Sequence, residues 1–136
     1  MSDLGGTFQV GIVVRNPDAM VDFYEGLLGF EHLDDVPVPG VLIKRFTFGD
    51  AGLKLLVPDD EPTESNVPGG PTASVAGLRY LTIAVNDVAG MVERCLKAGC
   101  SVPMPTFEAE GSRVAIVEDP DGNWVELVEP KSTDSL

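Results

Sequence analysis

The chain has 136 residues, of which 43% are hydrophobic and 23% are charged, as is ordinary for one globular domain. Its 22 acidic residues outnumber 9 basic ones, and the net charge of −13 argues against a nucleic acid or an anionic membrane as partner. No apolar run reaches membrane-spanning length, and the N-terminus lacks the basic and then apolar pattern of a secretion signal. We therefore expect a cytoplasmic protein.

The first half of the chain carries signals for one strand, one helix and three more strands. Residues 8–14 are rich in β-branched side chains and predict a strand. Asn16 as a cap and Pro17 at the first position predict a helix start, and Gly29 predicts its end. Further strands are expected near residues 30–36, 41–48 and 53–57, with turns at 37–40 and 49–52.

The second half repeats this order. Residues 59–77 are rich in Asp, Glu, Pro, Ser, Thr and Gly, and they predict a long, partly mobile surface connection. A strand at 79–85 then precedes a helix capped by Asn86 and Asp87, with Leu96 on its apolar face, and stopped by Gly99. Strands follow near 101–104, 112–118 and 123–128, and residues 131–136 are expected to be frayed. We predict a single domain with module 1 at about 7–58, a linker at about 59–77 and module 2 at about 78–130.

The two cysteines, Cys95 and Cys100, fall at the expected helix end and in the strand after it. Two cysteines in a chain expected in the cytoplasm are better interpreted as buried small apolar residues than as a disulfide framework.

The last two strand signals flank the sequence Asp-Pro-Asp-Gly at residues 119–122. Proline presets φ and glycine supplies the positive φ of a tight turn, so this stretch predicts a β-hairpin. Its second strand places Glu126 among large apolar residues. Taken alone, a solvated outer-face carboxylate is the simpler interpretation. The repeat favours a site, because Gln9 aligns with Tyr80 and, after one inserted residue, Lys54 aligns with Glu126.

Three stretches resemble the vicinal oxygen chelate superfamily, which includes glyoxalase I, extradiol dioxygenases, epimerases and bleomycin-resistance proteins. They are residues 13–18 with 22–30 (Asp-Phe-Tyr-Glu-Gly-Leu-Leu-Gly-Phe), 83–87 (Ile-Ala-Val-Asn-Asp) and 118–127 (Glu-Asp-Pro-Asp-Gly-Asn-Trp-Val-Glu-Leu). The resemblance implies an α+β fold of two tandem βαβββ modules. It also implies eight strands curved around a central cavity, helices outside, and a homodimer.

In metal-dependent members, four cavity positions hold a divalent cation. By the resemblance these positions fall here on Gln9, Lys54, Tyr80 and Glu126. A lysine ammonium cannot ligate a cation, and the only histidine, His32, matches none of the four. Two possible oxygen ligands are too few for a Zn, Ni or Fe site, so we predict no metal and no other cofactor.

Lys54 and Glu126 occupy equivalent positions of the two repeats. We therefore expect the pseudo-twofold relation between the repeats to direct both side chains to one point. One interpretation is an ion pair that fills a vestigial site. The other is catalytic: Lys54 stabilises an anionic or carbonyl oxygen, Glu126 acts as base or acceptor, and the Tyr80 hydroxyl donates a hydrogen bond. Strand alternation adds a mostly apolar ligand-binding wall formed by Gln9, Gly11, Val13, Leu56, Thr82 and Val128.

Two strand arginines, Arg45 and Arg113, face either the cavity or the solvent. We favour the solvent, because Phe46 and Phe48 are expected to take the buried face of the third strand.

Three functions stay open. The first is a metal-independent isomerase or lyase that acts on a small carbonyl or enolisable substrate. The second is a non-catalytic protein that binds a small molecule or an antibiotic and so confers resistance; one Trp and two Tyr offer few aromatic rings for it. The third is a module that contacts another protein. A buried, paired Lys54 and Glu126 favour the first function, and an aromatic-lined groove between subunits favours the second.

Overall fold

The computed structural model describes residues 6–130, which divide into two compact units between Ser65 and Asn66. The tail expected to be frayed lies outside the described residues. No helix between residues 6 and 130 is long and apolar enough to cross a membrane. The elements in chain order are β1 (Phe8–Val13), α1 (Pro17–Val21), β2 (Glu31–Val38), β3 (Val41–Phe48), β4 (Ala51–Pro58), β5 (Tyr80–Ala84), α2 (Val88–Lys97), β6 (Met104–Ala109), β7 (Ser112–Glu118) and β8 (Trp124–Glu129).

The first unit is one βαβββ module. Its sheet has the order β1-β4-β3-β2, in which β1 runs parallel to β4 and the other neighbours are antiparallel. Helix α1 continues into a π-helical segment, Asp22–Leu27, and the chain then turns at Gly29 with a φ of +86°, a conformation that glycine adopts without strain. Apolar side chains fill the space between helix and sheet: Met20, Phe23, Tyr24, Leu28, Phe46, Leu53 and Leu55 are all buried.

The second unit repeats this topology with the order β5-β8-β7-β6. The Asp87 side chain caps α2 by accepting a 3.0 Å hydrogen bond from the Gly90 N–H, as expected from the sequence. The predicted hairpin is confirmed, since the Gly122 N–H donates to the Asp119 carbonyl and Gly122 has a φ of +89°. The α2 side of the sheet is packed with Val88, Val92, Cys95, Ala115, Val117, Val125 and Leu127.

The end of α2 forms a Schellman motif. The Cys100 N–H donates to the Cys95 carbonyl and the Gly99 N–H to the Leu96 carbonyl, with Gly99 left-handed at a φ of +84°. This motif brings the residues at the positions of Cys95 and Cys100 into contact. Both thiols are free, and burial raises the pKa of the Cys95 thiol to about 11.

The α+β order of two βαβββ modules is confirmed, with the eight strands in two sheets of four. Three details of the prediction are corrected. The strand expected at 101–104 is β6 at Met104–Ala109; Pro103 has no N–H for a ladder, and the Ser101 carbonyl instead accepts from the Glu118 N–H. Asn16 makes no side-chain capping hydrogen bond, and Leu96 is 57% exposed.

The two units share one register. In the parallel pair of β1 and β4, Gly11 lies opposite Lys54; in the parallel pair of β5 and β8, Thr82 lies opposite Glu126. The alignment of Lys54 with Glu126 in the sequence is therefore confirmed at the level of sheet register. Each sheet has one face covered by the helix of its own unit, and we call the opposite face the helix-free face of that unit.

Candidate functional site

The helix-free face of the first unit carries the module 1 residues predicted for the site. Residues paired across neighbouring strands point to the same side of a sheet, and side chains alternate along each strand. Since Leu53 and Leu55 are buried on the helix side, the residues between and beyond them lie on the other side. The structure thus brings five predicted residues to one face: Gln9, Gly11, Val13, Lys54 and Leu56.

Lys54 has an unusual environment on this face. Its side chain is half-buried, and no carboxylate among the described residues of its own unit pairs with its ammonium. Gly11, its neighbour on β1, has no side chain to contribute. The Gln9 side chain lies over Gly52, where an added Cβ would stand 2.8 Å from the Gln9 Cγ. The Lys54 ammonium is therefore available to an oxygen from outside this unit.

Arg45 is a member of this face that the sequence interpretation assigned to solvent. In the antiparallel pair of β3 and β4 it lies directly opposite Lys54. Its Nη1 donates a 2.8 Å hydrogen bond to Asp34 Oδ1, and 40% of its side chain is exposed. The signal for it was present: Phe46 takes the helix side, so the preceding residue faces the side of Lys54. Arg113, in contrast, lies on the same side of β7 as Ala115, which is the helix side, and its Nε donates a hydrogen bond to Glu108 Oε2.

The helix-free face of the second unit carries the remaining predicted residues: Tyr80, Thr82, Glu126 and Val128. Glu126 accepts a 2.8 Å hydrogen bond at Oε1 from Thr82 Oγ1. Tyr80 is 51% exposed. Its surroundings on this face are apolar, because the register adds Ile116, Val114, Met104 and Phe107 from β7 and β6. The second face is thus largely apolar and carries two carboxylates: Glu126, which accepts from Thr82, and Glu118, which accepts a 3.2 Å hydrogen bond at Oε2 from Trp124 Nε1.

One end of this second face is covered by a strap, residues 66–79. Its 3₁₀ turn, Gly70–Thr72, lies so close to Trp124 that a Cβ on Gly70 would overlap the indole ring. Asn66 bonds to the carbonyl of the hairpin residue Asp121, and Arg79 donates to two strap carbonyls at 2.9 and 2.5 Å. The part of the predicted mobile connection that lies in the strap, residues 66–77, is therefore hydrogen-bonded within the strap and to the β7–β8 hairpin.

A family model described as the Glyoxalase/Bleomycin resistance protein/Dioxygenase superfamily matches residues 6–127. The chain belongs to this superfamily. The resemblance found in the sequence is thereby confirmed. A comparison with curated protein sequences finds no match.

Several solved structures are similar to this chain. SMU.1112c shares 26% identity with a TM-score of 0.74, covering 93% of this chain and 100% of that one. TnmS3, an antibiotic binding protein from Streptomyces sp. CB03234, shares 24% with a TM-score of 0.72, covering 96% and 100%. A glyoxylase/bleomycin resistance protein/dioxygenase domain from Frankia sp. EAN1pec shares 18% with a TM-score of 0.74, covering 98% and 96%. The last two likenesses show the fold alone.

The residues at the positions aligned with the superfamily's metal ligands do not fit a divalent metal. Lys54 presents an ammonium, which has no lone pair to donate. Between residues 6 and 130, no three His, Cys, Asp or Glu side chains stand close enough together to hold an ion. The Gln9 amide and the Glu126 carboxylate are oxygen donors, but zinc, nickel and iron sites require three or four ligands.

Proposed function

We propose that this protein binds a small organic molecule against the helix-free faces of its modules, with Lys54 and Glu126 as the polar anchors. The proposal rests mainly on Lys54. A half-buried ammonium without an ion-pair partner in its own unit costs free energy, and an oxygen of a ligand would offset that cost. The mostly apolar neighbours on both faces suit the body of such a ligand.

These groups are sufficient for proton transfer on a carbonyl compound. In an isomerisation or lyase reaction, the Glu126 carboxylate would take the proton from the carbon next to the carbonyl. Lys54 would stabilise the negative charge that develops on the carbonyl oxygen. The Thr82 hydroxyl holds Oε1 of Glu126, and no residue between 6 and 130 is seen to bond to Oε2, which leaves that oxygen for the proton. The Tyr80 hydroxyl would serve as an additional donor.

A second candidate function is binding of an antibiotic or another small molecule without turnover. It is supported by the structural likeness to TnmS3, an antibiotic binding protein. It is also supported by the exposed apolar side chains on the second helix-free face, where Tyr80, Met104 and Phe107 are all more than one third exposed. An aromatic ligand stacked there would bury this surface.

A thermal-shift screen of ketones, aromatic compounds and antibiotics tests both functions. We expect at least one compound that raises the Tm of the wild-type protein more than that of the Lys54→Met variant. Following that compound by NMR then separates the two functions, because consumption that Glu126→Gln abolishes indicates an enzyme, and binding without consumption indicates a binding protein. If no compound stabilises the protein, or all of them stabilise Lys54→Met equally, the proposal fails.

We further propose that the protein is a homodimer. Strands β2 and β6 end their sheets, and exposed end strands are commonly covered by a partner. Light scattering at high protein concentration tests this, and a purely monomeric mass would contradict it. The cytoplasmic location stays a prediction.

A further inference from the structure

We propose that the ligand carries a carboxylate, and that this carboxylate binds between Lys54 and Arg45 on the helix-free face of the first unit. The inference rests on the proposed function and specifies the ligand class. Two cations are neighbours in a strongly acidic chain. Lys54 and Arg45 lie directly opposite each other on β4 and β3. Like charges directly opposite each other destabilise a sheet. The chain has 22 acidic residues, and one of them at either position would have removed this repulsion.

The single carboxylate bonded to this pair of cations leaves most of their donors unused. Asp34 accepts one hydrogen bond, from Arg45 Nη1. Among residues 6–130 no other group is seen to bond to this guanidinium, and none of the first unit bonds to the Lys54 ammonium. A guanidinium fork and an adjacent ammonium match the two oxygens of a carboxylate. An external carboxylate would therefore complete the charge balance of this site.

The side chains around the two cations leave room for such a ligand and set its direction. Gly11, Lys54 and Arg45 lie side by side on β1, β4 and β3, and we call them the cation row. A Cβ added at Gly11 would meet only the Leu56 Cδ1, at 3.5 Å. The next row of the same face is wholly apolar, and its members are Val13, Leu56 and Ile43. A ligand whose carboxylate lies at the cation row can thus place an apolar body on the apolar row. The expected class is an aromatic or branched aliphatic carboxylic acid.

A matched pair of probes tests the charge requirement. Naphthoate and naphthamide have the same ring system and differ in the charged group, and calorimetric titration of the full chain measures both affinities. We expect naphthoate to bind about ten- to a hundredfold more tightly, the effect of a hydrogen bond to a charged group. Lys54→Met and Arg45→Met should each remove most of that advantage, so that the affinities for naphthoate and naphthamide become similar. Arg45→Lys, which keeps the charge but loses the fork, should lie between them.

Lys44→Met is the control variant. Lys44 is adjacent in sequence to Arg45 but points to the opposite side of β3, where its ammonium lies 3.0 Å from Asp35 Oδ2. The substitution changes the net charge by the same amount as Lys54→Met. It should leave naphthoate affinity within about twofold, because Lys44 lies on the other side of the sheet from the proposed ligand. Circular dichroism checks that each variant folds.

Absent naphthoate binding, or equal binding of the two probes, overturns the carboxylate inference. Equal weakening by Lys44→Met overturns it as well, since the effect would then be one of net charge. The proposed function survives these outcomes as long as some compound in the thermal-shift screen distinguishes wild type from Lys54→Met. The two ideas can therefore fail separately.

Discussion

Thr82 Oγ1 donates a 2.8 Å hydrogen bond to Glu126 Oε1 across the parallel pair of β5 and β8. The equivalent pair in the first unit is Gly11 and Lys54. In the second unit this register position thus holds a carboxylate that accepts a hydrogen bond from Thr82. In the first unit it holds a cation whose neighbour, Gly11, has no side chain. Equivalent points of the two sheets therefore carry opposite charges, and in the proposed function each charge would bind a different kind of ligand atom.

Replacing Thr82 by Val removes the hydroxyl donor and keeps the shape of the side chain. We expect the free energy of unfolding to fall by only about 1 kcal/mol, since the bond lies on an exposed face. Affinity for a compound anchored at Glu126 should fall more clearly, because the carboxylate would lose its fixed orientation. Thr47→Val on the first helix-free face is the control, and calorimetric titration is the measurement. Equal losses in both variants would show that the Thr82 bond has no part in binding.

Replacing Asp119 by Ala should destabilise the protein strongly. This carboxylate is 3% exposed, and its Oδ1 accepts 2.9 Å hydrogen bonds from the Asp121 and Asn123 backbone N–H groups. The variant leaves these donors without their acceptor at the hairpin, at a cost of about 2 to 4 kcal/mol. Urea unfolding measures this cost, with the exposed Asp60→Ala as control. A cost no larger than that of the control would contradict this role for Asp119.

The Gly70→Ala variant tests the contact between the strap and Trp124. Gly70 has a φ of +52°, so an alanine is strained there, and its Cβ would also overlap the indole ring. Gly49→Ala has nearly the same strain, at a φ of +60°, but no heavy atom stands within 4 Å of its Cβ. The difference between the two free energies of unfolding isolates the overlap, which we expect to cost about 1 to 3 kcal/mol more. Equal values would mean that the strap moves aside without cost.

Stability should fall in alkaline solution through Cys95. Its thiol is buried with a pKa raised to about 11 from an ordinary value of 9.0. Above pH 9 the unfolded chain loses this proton while the folded protein still binds it, so the free energy of unfolding falls as the pH rises toward 11. The drop from this group is about 2 kcal/mol. It should be smaller in Cys95→Ala, compared by urea unfolding at pH 8 and at pH 10.5. Parallel curves for the two proteins would contradict this source of the pH dependence.

The repeat, most of the strands and the C-terminal ends of the helices could be predicted from the sequence because their signals are local. Glycine at a positive φ, proline at turns and β-branched runs act over a few residues, and the turns at Gly29, Gly99 and Gly122 all follow them. The prediction that Asn16 caps the first helix was wrong because it depended on residue type alone. Asparagine is a suitable cap, but the Asn16 side chain makes no capping hydrogen bond. Residue type alone does not determine a contact.

The parts that could not be predicted depend on pairing between distant residues. Arg45 joins Lys54 only through the β3–β4 register, which the sequence does not state. The strap reads as polar and mobile by composition, yet Arg79 and Asn66 fix it through carbonyl groups that no pattern reveals. The position of β6 likewise depends on where Ser101 meets Glu118 across the sheet.

Trp124 is the only tryptophan of the chain, and it lies in the second unit under the turn at Gly70. Its fluorescence emission therefore reports changes around Trp124 in that unit, whereas far-UV circular dichroism sums the backbone of both. If the two signals change at the same urea concentration, the modules unfold as one cooperative block. If the emission changes at a different concentration, the duplicated halves have separate stabilities, and an unlabelled protein is enough to measure each of them.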